Sequence, residues 1–436
     1  MFGSVPTCAE DDMGWSRTRW VRLAAAGAAG VLLIGGCSGS GGSGGDGTVN
    51  LTIGFWGDFG LDELKGRYEA ANPGVKITLN AGEYNAQHED LQKKLIAGNG
   101  APDIAAIDEG FIIQFRGQGD KFVNLLDKGA GSYQGNYLPW KWQQSLTTDG
   151  VQIGLGTDVG GLAMCYRTDL FEAAGLPTER DAVSALWPTW DTFIETGQRY
   201  VAATDKRFID AATNIFNPVL GQQQVGFYDE NNTLQMYGGP KVAFDVAAKA
   251  IAAGLSANLT AFQTDWNAGF VRGDFAVLAC PAWMLGHIKN TAPDTEGKWD
   301  VAAIPGGGGN WGGSFLTVPK QGKHVDEAYQ LLEWLIQPEQ QIEIFKQVGN
   351  LPSQPALYED PAIRDFVNPF FNNAPVGQIF TATAASLTPQ YLGPKNGPTR
   401  VAVENVLNRL SDGDLEGDPN RAWAEALAEA DRASKT

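Results

Sequence analysis

Aromatic rings and hydrogen-bonding side chains occur together at predicted loop tips in this sequence. Trp56 stands two residues before Asp58, and Asp108 adjoins Glu109, in both cases where a predicted strand ends. The residues that share this setting, beside turn-forming residues, are Trp56, Asp58, Asp108, Glu109, Asp158, Asn214, Asn217, Trp283, Trp311 and Tyr391. Sugars have apolar C–H faces that suit flat rings, and hydroxyls that donate to carboxylates. One tryptophan alone is more typical of a core, but the combination favours a carbohydrate site.

Charge and histidine content exclude other kinds of site. The 436 residues include 50 acidic and 32 basic side chains, which gives a net charge of −18. An acidic surface repels phosphate backbones, so we expect no nucleic-acid partner. Only His88, His287 and His324 are present, which excludes a histidine-rich metal site and disfavours a Ser-His-Asp triad. We therefore expect neither a metal nor a cofactor.

The first predicted elements alternate between strand and helix. Strands are predicted at 49–56, 75–79 and 103–107, and the helix between the first two has Leu61, Leu64 and Tyr68 at helical spacing. This order predicts a parallel sheet with helices on both faces. Ligands of such sheets bind beyond the carboxyl ends of the strands, where the first tryptophan and the first carboxylates stand.

A second α/β unit is predicted from Gly156 onward. Thr189 is a predicted helix N-cap, and Asp418 with Pro419 is predicted to open the last helix. Further strands are predicted at 162–166, 275–279 (broken by Pro281), 299–304 and 315–318, and further helices from 169, over 241–253 and over 325–348.

The N-terminal segment has the pattern of an export signal. Arg17, Arg19 and Arg22 precede an apolar run over 23–34 that is short for a membrane span. The run ends in Leu-Ile-Gly-Gly-Cys, which resembles a bacterial lipobox, so we predict a signal peptide at 1–36 and a lipid on Cys37; a plain signal peptide is the alternative. Acidic residues before Met13 suggest that Met13 is the true start. Residues 37–48 form a Gly/Ser tether.

Two cysteines remain in the predicted exported body. Cys165 and Cys280 both lie in apolar, strand-like runs. Export favours disulfides, whereas buried apolar cysteines are also common as free thiols. The sequence leaves both alternatives open.

Several blocks of this sequence resemble a known family. They are the tethered lipobox, GFWGD at 54–58, AGNGAPD at 97–103, GLGTDVGGLAMCYRT at 154–168, CPAWMLG at 280–286, KWDVAAIPGGGGNWGGSFLTVP at 298–319 and APVGQIF at 374–380. Together they resemble the extracellular sugar-binding proteins of ABC importers, of the maltose-binding-protein type. Among these, the blocks are most similar to the cello-oligosaccharide-binding lipoproteins of actinobacteria.

The resemblance implies an α/β fold of two lobes, of the type II periplasmic-binding-protein kind, with the ligand in the cleft between them. It places lobe 1 at 49–157 plus 312–352 and lobe 2 at 158–311 plus 353–436. The chain would then cross between the lobes three times, near Gly156–Gly161, Pro305–Gly313 and Gly349–Pro355.

The resemblance also assigns ligand positions. The family's sites correspond here to Asp58, Asp108, Glu109, Asp158 and Trp283, whereas Tyr391 matches a C-terminal aromatic position only loosely. Loop chemistry, independent of the resemblance, adds three further candidates: Asn310, Trp311 and Ser314.

Two classes of function fit these residues. The favoured hypothesis is a non-enzymatic, monomeric, lipid-anchored binding protein on the outer face of the cell membrane. It would deliver cellobiose or a longer cello-oligosaccharide to ABC permease subunits and, through them, to an ATPase; a malto-oligosaccharide, another β-glucoside or an amino sugar is the alternative cargo. An exported glycoside hydrolase also needs paired carboxylates in an aromatic cleft. A surface sensor or adhesin would need an extra interaction module, and no such module is recognisable in the sequence.

Overall fold

A computed structural model describes residues 48–387 and 389–435 of the chain. The predicted signal peptide, Cys37 and the tether up to residue 47 lie outside the described residues. No helix among the described residues combines the length and the apolar character that crossing a membrane requires.

The described strands form two sheets, each of which is the base of one lobe. The strands are β1 (Val49–Trp56), β2 (Val75–Gly82), β3 (Ile104–Asp108), β4 (Gly154–Gly156), β5 (Leu162–Arg167), β6 (Val277–Pro281), β7 (Trp299–Ala302) and β8 (Ser314–Thr317). The first sheet has the order β2-β1-β3-β8-β4, and the second has the order β6-β5-β7. The residue bounds predicted for the two lobes stay a prediction.

The expectation of a parallel first sheet is right only for its first three strands. β1 pairs in parallel with β2 and β3, but β8 runs antiparallel to both β3 and β4, because the chain re-enters this sheet from the second lobe. The second sheet is antiparallel throughout. Pro281 does not break β6 as expected but is its last residue, a place an edge strand tolerates because no ladder N–H is required there.

Helices cover both sheets. They are α1 (Leu61–Ala71), α2 (Tyr84–Ala97), α3 (Glu109–Arg116), α4 (Pro139–Gln144), α5 (Thr168–Ala173), α6 (Arg180–Ser184), α7 (Trp190–Thr204), α8 (Thr213–Gly221), α9 (Gly239–Ala252), α10 (Thr264–Arg272), α11 (Ala282–Thr291), α12 (Val325–Leu335), α13 (Pro338–Val348), α14 (Pro361–Arg364), α15 (Val376–Ala385), α16 (Asn396–Ser411) and α17 (Pro419–Lys435). As predicted, Thr189 caps α7, in a capping box with Thr192. The predicted apolar positions of α1, Leu61, Leu64 and Tyr68, are buried against the first sheet.

The segments that join the two sheets are hydrogen bonded to one another. Thr157 N donates to Ser314 O (2.9 Å), Val159 N to Leu351 O (2.9 Å) and Trp311 N to Gly160 O (2.8 Å). A Cβ at Gly160 would lie 2.0 Å from the Trp311 carbonyl oxygen, so only glycine permits this close approach. The connection between the lobes is therefore a narrow bundle of backbone, which suits a hinge.

A disulfide joins Cys165 to Cys280 in the second sheet. The two residues lie diagonally on the antiparallel neighbours β5 and β6, their Cα atoms are 5.5 Å apart, and both side chains are fully buried. The bond closes a loop of more than a hundred residues, which the chain-entropy model associates with roughly 4–5 kcal/mol of stability.

Candidate functional site

The predicted carboxylates of the first lobe follow β3 directly. Asp108 is the N-cap of α3, and its Oδ1 accepts hydrogen bonds from Gly110 N (2.7 Å) and from the Tyr84 hydroxyl (2.9 Å). The N-terminus of a helix is a favourable place for a carboxylate because its backbone N–H groups are unpaired. The position of this carboxylate is thus set by two local features, the end of β3 and the start of α3.

Glu109 connects the first lobe to a crossing segment. Both of its carboxylate oxygens accept hydrogen bonds from Asn310 Nδ2 (3.0 Å each), and Oε1 also accepts one from Gln144 Nε2 (3.0 Å). Asn310 Oδ1 in turn accepts from Gly160 N (3.0 Å). Burial raises the pKa of Glu109, while the Lys141 charge and these amide donors act in the opposite direction.

Lys141 lies beneath these groups and has no exposed surface. Its Nζ is 3.9 Å from Glu109 Oε2 and 4.0 Å from the centre of the Phe315 ring, and it has no hydrogen-bond partner among the described residues. Burial lowers the pKa of Lys141, and the charges of Glu109, Asp158 and Asp108 oppose that shift. A buried ammonium is tolerated only beside carboxylates, so Lys141 and the three acids depend on one another.

Asp158 holds the first crossing segment in place. Its Oδ1 accepts hydrogen bonds from the Thr157 hydroxyl and from Ser314 N, both at 2.8 Å, and burial raises its pKa. The predicted residue Ser314 thus meets Asp158 through its backbone. We call Asp108, Glu109, Lys141 and Asp158 the polar floor of the cleft.

A group of aromatic rings stands beside the polar floor. The Phe262 ring is nearly parallel to Tyr84 of the first lobe (26°) and to Trp283 of the second (29°), with ring centres 6.1 Å apart in each case. Trp311 meets Trp283 at 70°, and its carbonyl accepts a hydrogen bond from Trp283 Nε1 (3.2 Å). We call Tyr84, Phe262, Trp283 and Trp311 the aromatic wall.

Trp56 and Asp58 lie at the end of β1, on the same side of the cleft as Tyr84. The Trp56 ring centre is 5.5 Å from that of Tyr84 and 4.5 Å from that of His88. The exposed Asp58 accepts a hydrogen bond from Gly60 N (2.9 Å) and, across the cleft, one from Asn290 Nδ2 of α11 (3.0 Å). The two lobes therefore touch at the cleft mouth.

Three predicted residues lie outside the polar floor and the aromatic wall. Asn214 and Asn217, expected at loop tips, are inside α8, whose buried apolar face keeps the helix intact past Pro218. The Asn214 amide donates to Asp210, and Asn217 Nδ2 donates to Glu404 of α16 (2.7 Å). Tyr391 is exposed and donates to Asn232 (2.8 Å). Their roles as ligands stay predictions.

Sequence reasoning missed several residues of this site. Lys141 and Phe262 stand beside no strand end, so the pattern of a predicted strand followed by a turn does not find them. Tyr84 does follow β2, but that strand ends at Gly82, three residues beyond its predicted end. Arg400 of α16 was also missed. Its guanidinium and the Asp108 carboxylate both approach Gly110: a Cβ added there would lie 3.1 Å from Asp108 Oδ1 and 3.5 Å from Arg400 Nη2. The one available signal was the Trp-Lys-Trp run at 140–142, where a lysine between two large rings indicates burial.

Comparisons with known proteins agree with this architecture. A family model described as bacterial extracellular solute-binding protein matches residues 58–342. The chain is 28% identical to the arabinooligosaccharide-binding protein of Bacillus subtilis (strain 168) over 325 residues, which is 69% of this chain and 72% of that protein.

Solved structures share the fold over nearly the whole described chain. A crystal structure of an extracellular solute-binding protein of family 1 is 40% identical, with a TM-score of 0.75, over 88% of this chain and 100% of that one. The ABC transporter-associated binding protein of B. animalis subsp. lactis Bl-04, in complex with beta-1,6-galactobiose, is 23% identical with a TM-score of 0.77, over 89% and 98%. The two-lobed fold that the resemblance implied is confirmed.

Proposed function

The chain belongs to the bacterial extracellular solute-binding proteins, and on this premise we propose that it captures an oligosaccharide outside the membrane and delivers it to an ABC importer. The observation that carries the proposal is the convergence of the aromatic wall and the carboxylates on one cleft, with contributions from both lobes. A ligand that touches both lobes binds the closed form better than the open one, and this difference in affinity drives closure.

The cargo that we propose is a neutral gluco-oligosaccharide, cellobiose or a longer cello-oligosaccharide. The resemblance of the sequence blocks supports this choice, and the carboxylates of the cleft disfavour an anionic sugar by charge repulsion. Relatives named for arabinooligosaccharide and bound to beta-1,6-galactobiose add those two sugars to the alternatives that a test should include.

We propose that the protein binds its sugar without cleaving it. A hydrolase needs one carboxyl free to donate a proton and another free to attack or to activate water. In support of binding, the carboxylates of Glu109 and Asp158 accept hydrogen bonds from amide, hydroxyl and backbone donors and lie against Lys141. Carboxylates held in this way suit a structural role in the cleft.

We further propose a lipid anchor on Cys37, which would hold the protein at the outer face of the cell membrane beside its permease. The lipobox-like run that supports this anchor lies outside the described residues. Replacing the residue, Cys37→Ser, should release the protein from the membrane fraction or block processing; normal processing with unchanged membrane retention would refute the anchor.

Calorimetric titration of the mature protein tests the proposed function. The panel is cellobiose, cellotriose, maltotriose, an arabino-oligosaccharide, beta-1,6-galactobiose and glucuronic acid. We expect a cello-oligosaccharide to bind most tightly, to raise the melting temperature and to shrink the radius of gyration in solution scattering, and the uronic acid to do none of these. Recovery of intact sugar after long incubation supports binding. No binding by any neutral sugar would refute the function, and cleavage products would indicate the hydrolase.

A further inference from the structure

The backbone of Phe262 has an unusual conformation for a bulky residue. Its φ of 67° lies in the left-handed region, which large side chains rarely adopt. The residue stands in the connection between α9 and α10, after Leu259, whose N–H donates to Asp210 O (3.0 Å), and before Gln263, which is the N-cap of α10. Both ends of this short turn are thus fixed, and the strained residue lies between them. Strained positions of this kind concentrate at ligand clamps and switches.

The strained backbone aims an aromatic ring at the cleft. Phe262 is half-buried, and its ring links the Tyr84 ring of the first lobe to the Trp283 ring of the second. The Trp311 ring meets Trp283 at a steep angle, so the near-parallel stacking position on Trp283 is held by Phe262. A sugar ring needs that kind of position, since its flat C–H face stacks parallel to an indole.

Resting on the proposed function, we propose that Phe262 is a specificity-determining residue that holds the stacking position on Trp283 and leaves it when a sugar binds. The bound sugar takes over the contacts to Trp283, and Phe262 leaves its left-handed backbone conformation in the turn from Leu259 to Gln263. Tyr84 stays in place, because its hydroxyl donates to Asp108 of the polar floor.

Displacement of Phe262 selects for the length of the sugar. A monosaccharide gains one stacked ring and loses the Phe262 contacts, so its net gain is small. A longer oligosaccharide makes additional contacts to the cleft that Phe262 does not make, and these remain as net affinity. The same loss of contacts therefore leaves a monosaccharide weakly bound, while an oligosaccharide still binds tightly through its additional contacts.

The opposite model treats Phe262 as a fixed platform for the sugar. In that model the ring stays in place and adds stacking energy to the complex. The two models predict changes of opposite sign when the ring is removed, so a single affinity measurement separates them.

The experiment titrates Phe262→Gly and Phe262→Asn with the tightest oligosaccharide of the panel and with its monosaccharide. Both replacements accept a left-handed backbone, so both variants are expected to fold, which thermal unfolding checks. We expect the oligosaccharide to bind about 2- to 10-fold more tightly, the equivalent of one lost aromatic pair. The monosaccharide should bind more tightly by a similar factor, because displacing Phe262 costs both sugars the same contacts. Tyr237→Ala, which removes an exposed aromatic elsewhere, should leave both constants unchanged.

The outcomes separate this inference from the proposed function. If the parent binds an oligosaccharide and the ring-free variants bind it equally or more weakly, the displacement model is overturned and the function stands. If the variants bind sugars that the parent does not bind, the model is supported. If neither the parent nor any variant binds a sugar, both the function and the inference fail.

Discussion

The polar floor and the aromatic wall lie in the same cleft but are built in different ways. Every charged group of the floor is buried, and its carboxylates have fixed partners: Glu109 is held by two amides, and Asp158 by a hydroxyl and a backbone N–H. Lys141 lies against Glu109 at 3.9 Å. The wall is half-buried at Phe262, Trp283 and Trp311, and its rings meet across the two lobes.

This difference assigns different tasks to the two regions. Buried charges with fixed partners make a rigid unit, because moving any member leaves an unpaired charge in a low-dielectric interior. Half-buried rings can change partners at low cost, since stacking is weakly directional. The floor therefore fixes how the crossing segments meet, while the wall exchanges contacts when a ligand arrives. Tyr84 belongs to both, through its ring and its hydroxyl bond to Asp108.

The largest predicted effect removes the charge at the centre of the floor. Replacing Lys141 by Met leaves Glu109, Asp108 and Asp158 together without the buried cation. Breaking a buried ion pair in this way typically costs about 3–5 kcal/mol, so we expect a loss of that size in the free energy of unfolding, measured by urea denaturation.

Two controls separate charge from packing in that experiment. Lys94→Met removes an exposed lysine that pairs with Asp90 one helical turn away, and should change stability by less than about 0.5 kcal/mol. Adding Glu109→Gln to Lys141→Met should restore part of the loss, because fewer unpaired charges then remain. A Lys141→Met protein as stable as the parent would show that the floor is no electrostatic unit.

A fall in pH should change the stability contributions of the two regions in opposite directions. Behind the wall, burial against Trp266, Phe262 and Phe270 lowers the pKa of His287 to about 4. The unfolded chain binds this proton near pH 6.5, so the stability contribution is present above pH 6.5 and is lost as the pH falls towards 4. In the floor, the pKa values of Glu109 and Asp158 are raised, so the folded state binds these protons more readily than the unfolded state does. The stability contribution of these two groups therefore increases as the pH falls.

The variant His287→Gln isolates the contribution of the wall. The parent should lose up to about 3 kcal/mol more stability than this variant between pH 7 and pH 4, at 1.36 kcal/mol for each pKa unit. Denaturant unfolding across this pH range measures the difference, and His324→Gln serves as the matched histidine control. If the free energy of unfolding depends on pH in the same way in the parent and in His287→Gln, the predicted contrast between the acid responses of the two regions does not exist.

An intermediate effect is expected at the stacking surface of the wall. Replacing Trp283 by Ala removes a large rigid contact from the cleft, and such anchors cost about 2 kcal/mol or more, some thirtyfold in affinity. Calorimetry with the preferred sugar measures the change, and tryptophan fluorescence should respond less to the sugar in the variant. Tyr237→Ala, at an exposed ring, should bind like the parent. An unchanged dissociation constant in Trp283→Ala would make the ring a packing residue.

The sequence predicts the floor better than the wall for a physical reason. Asp108 and Glu109 are placed by a strand end and a helix start, which are local events that periodicity and capping reveal. The resemblance implied the crossing segments that contain Gly160 and Gly313, and the structure shows why glycine is needed there: a close backbone approach at Gly160 and a positive φ at Gly313.

Residues placed by tertiary packing alone escape such reasoning. Lys141 belongs to the site only because α4 packs beneath α3, and Phe262 only because a turn of the second lobe reaches Tyr84 of the first. Asn214 and Asn217 show the reverse error: their setting beside turn-forming residues suggested a loop, whereas burial of the apolar face of α8 keeps the helix intact. Local signals report local structure, and contacts between elements that are distant in the sequence leave no such signal.

The smallest predicted effect tests whether the cleft mouth belongs to the floor or to the wall. Asp58 and Asn290 share one exposed hydrogen bond between the lobes, of 3.0 Å, with no buried charge behind it. An exposed bond of this kind contributes about 1 kcal/mol or less, so Asn290→Ala should weaken sugar binding by no more than about fivefold and leave the free energy of unfolding unchanged. The reason is that the bond exists only when the lobes meet, so it adds to closure and not to folding.

Calorimetry gives the affinity, and solution scattering should show a larger radius of gyration for the variant without sugar. Asp58→Ala in the Asn290→Ala background should add the loss of any direct contact between Asp58 and the sugar, which a double-mutant cycle separates from the closure effect. If Asn290→Ala instead lowers the free energy of unfolding as much as Lys141→Met does, the mouth is part of the rigid unit, and the contrast between a fixed floor and an exchangeable wall does not hold there.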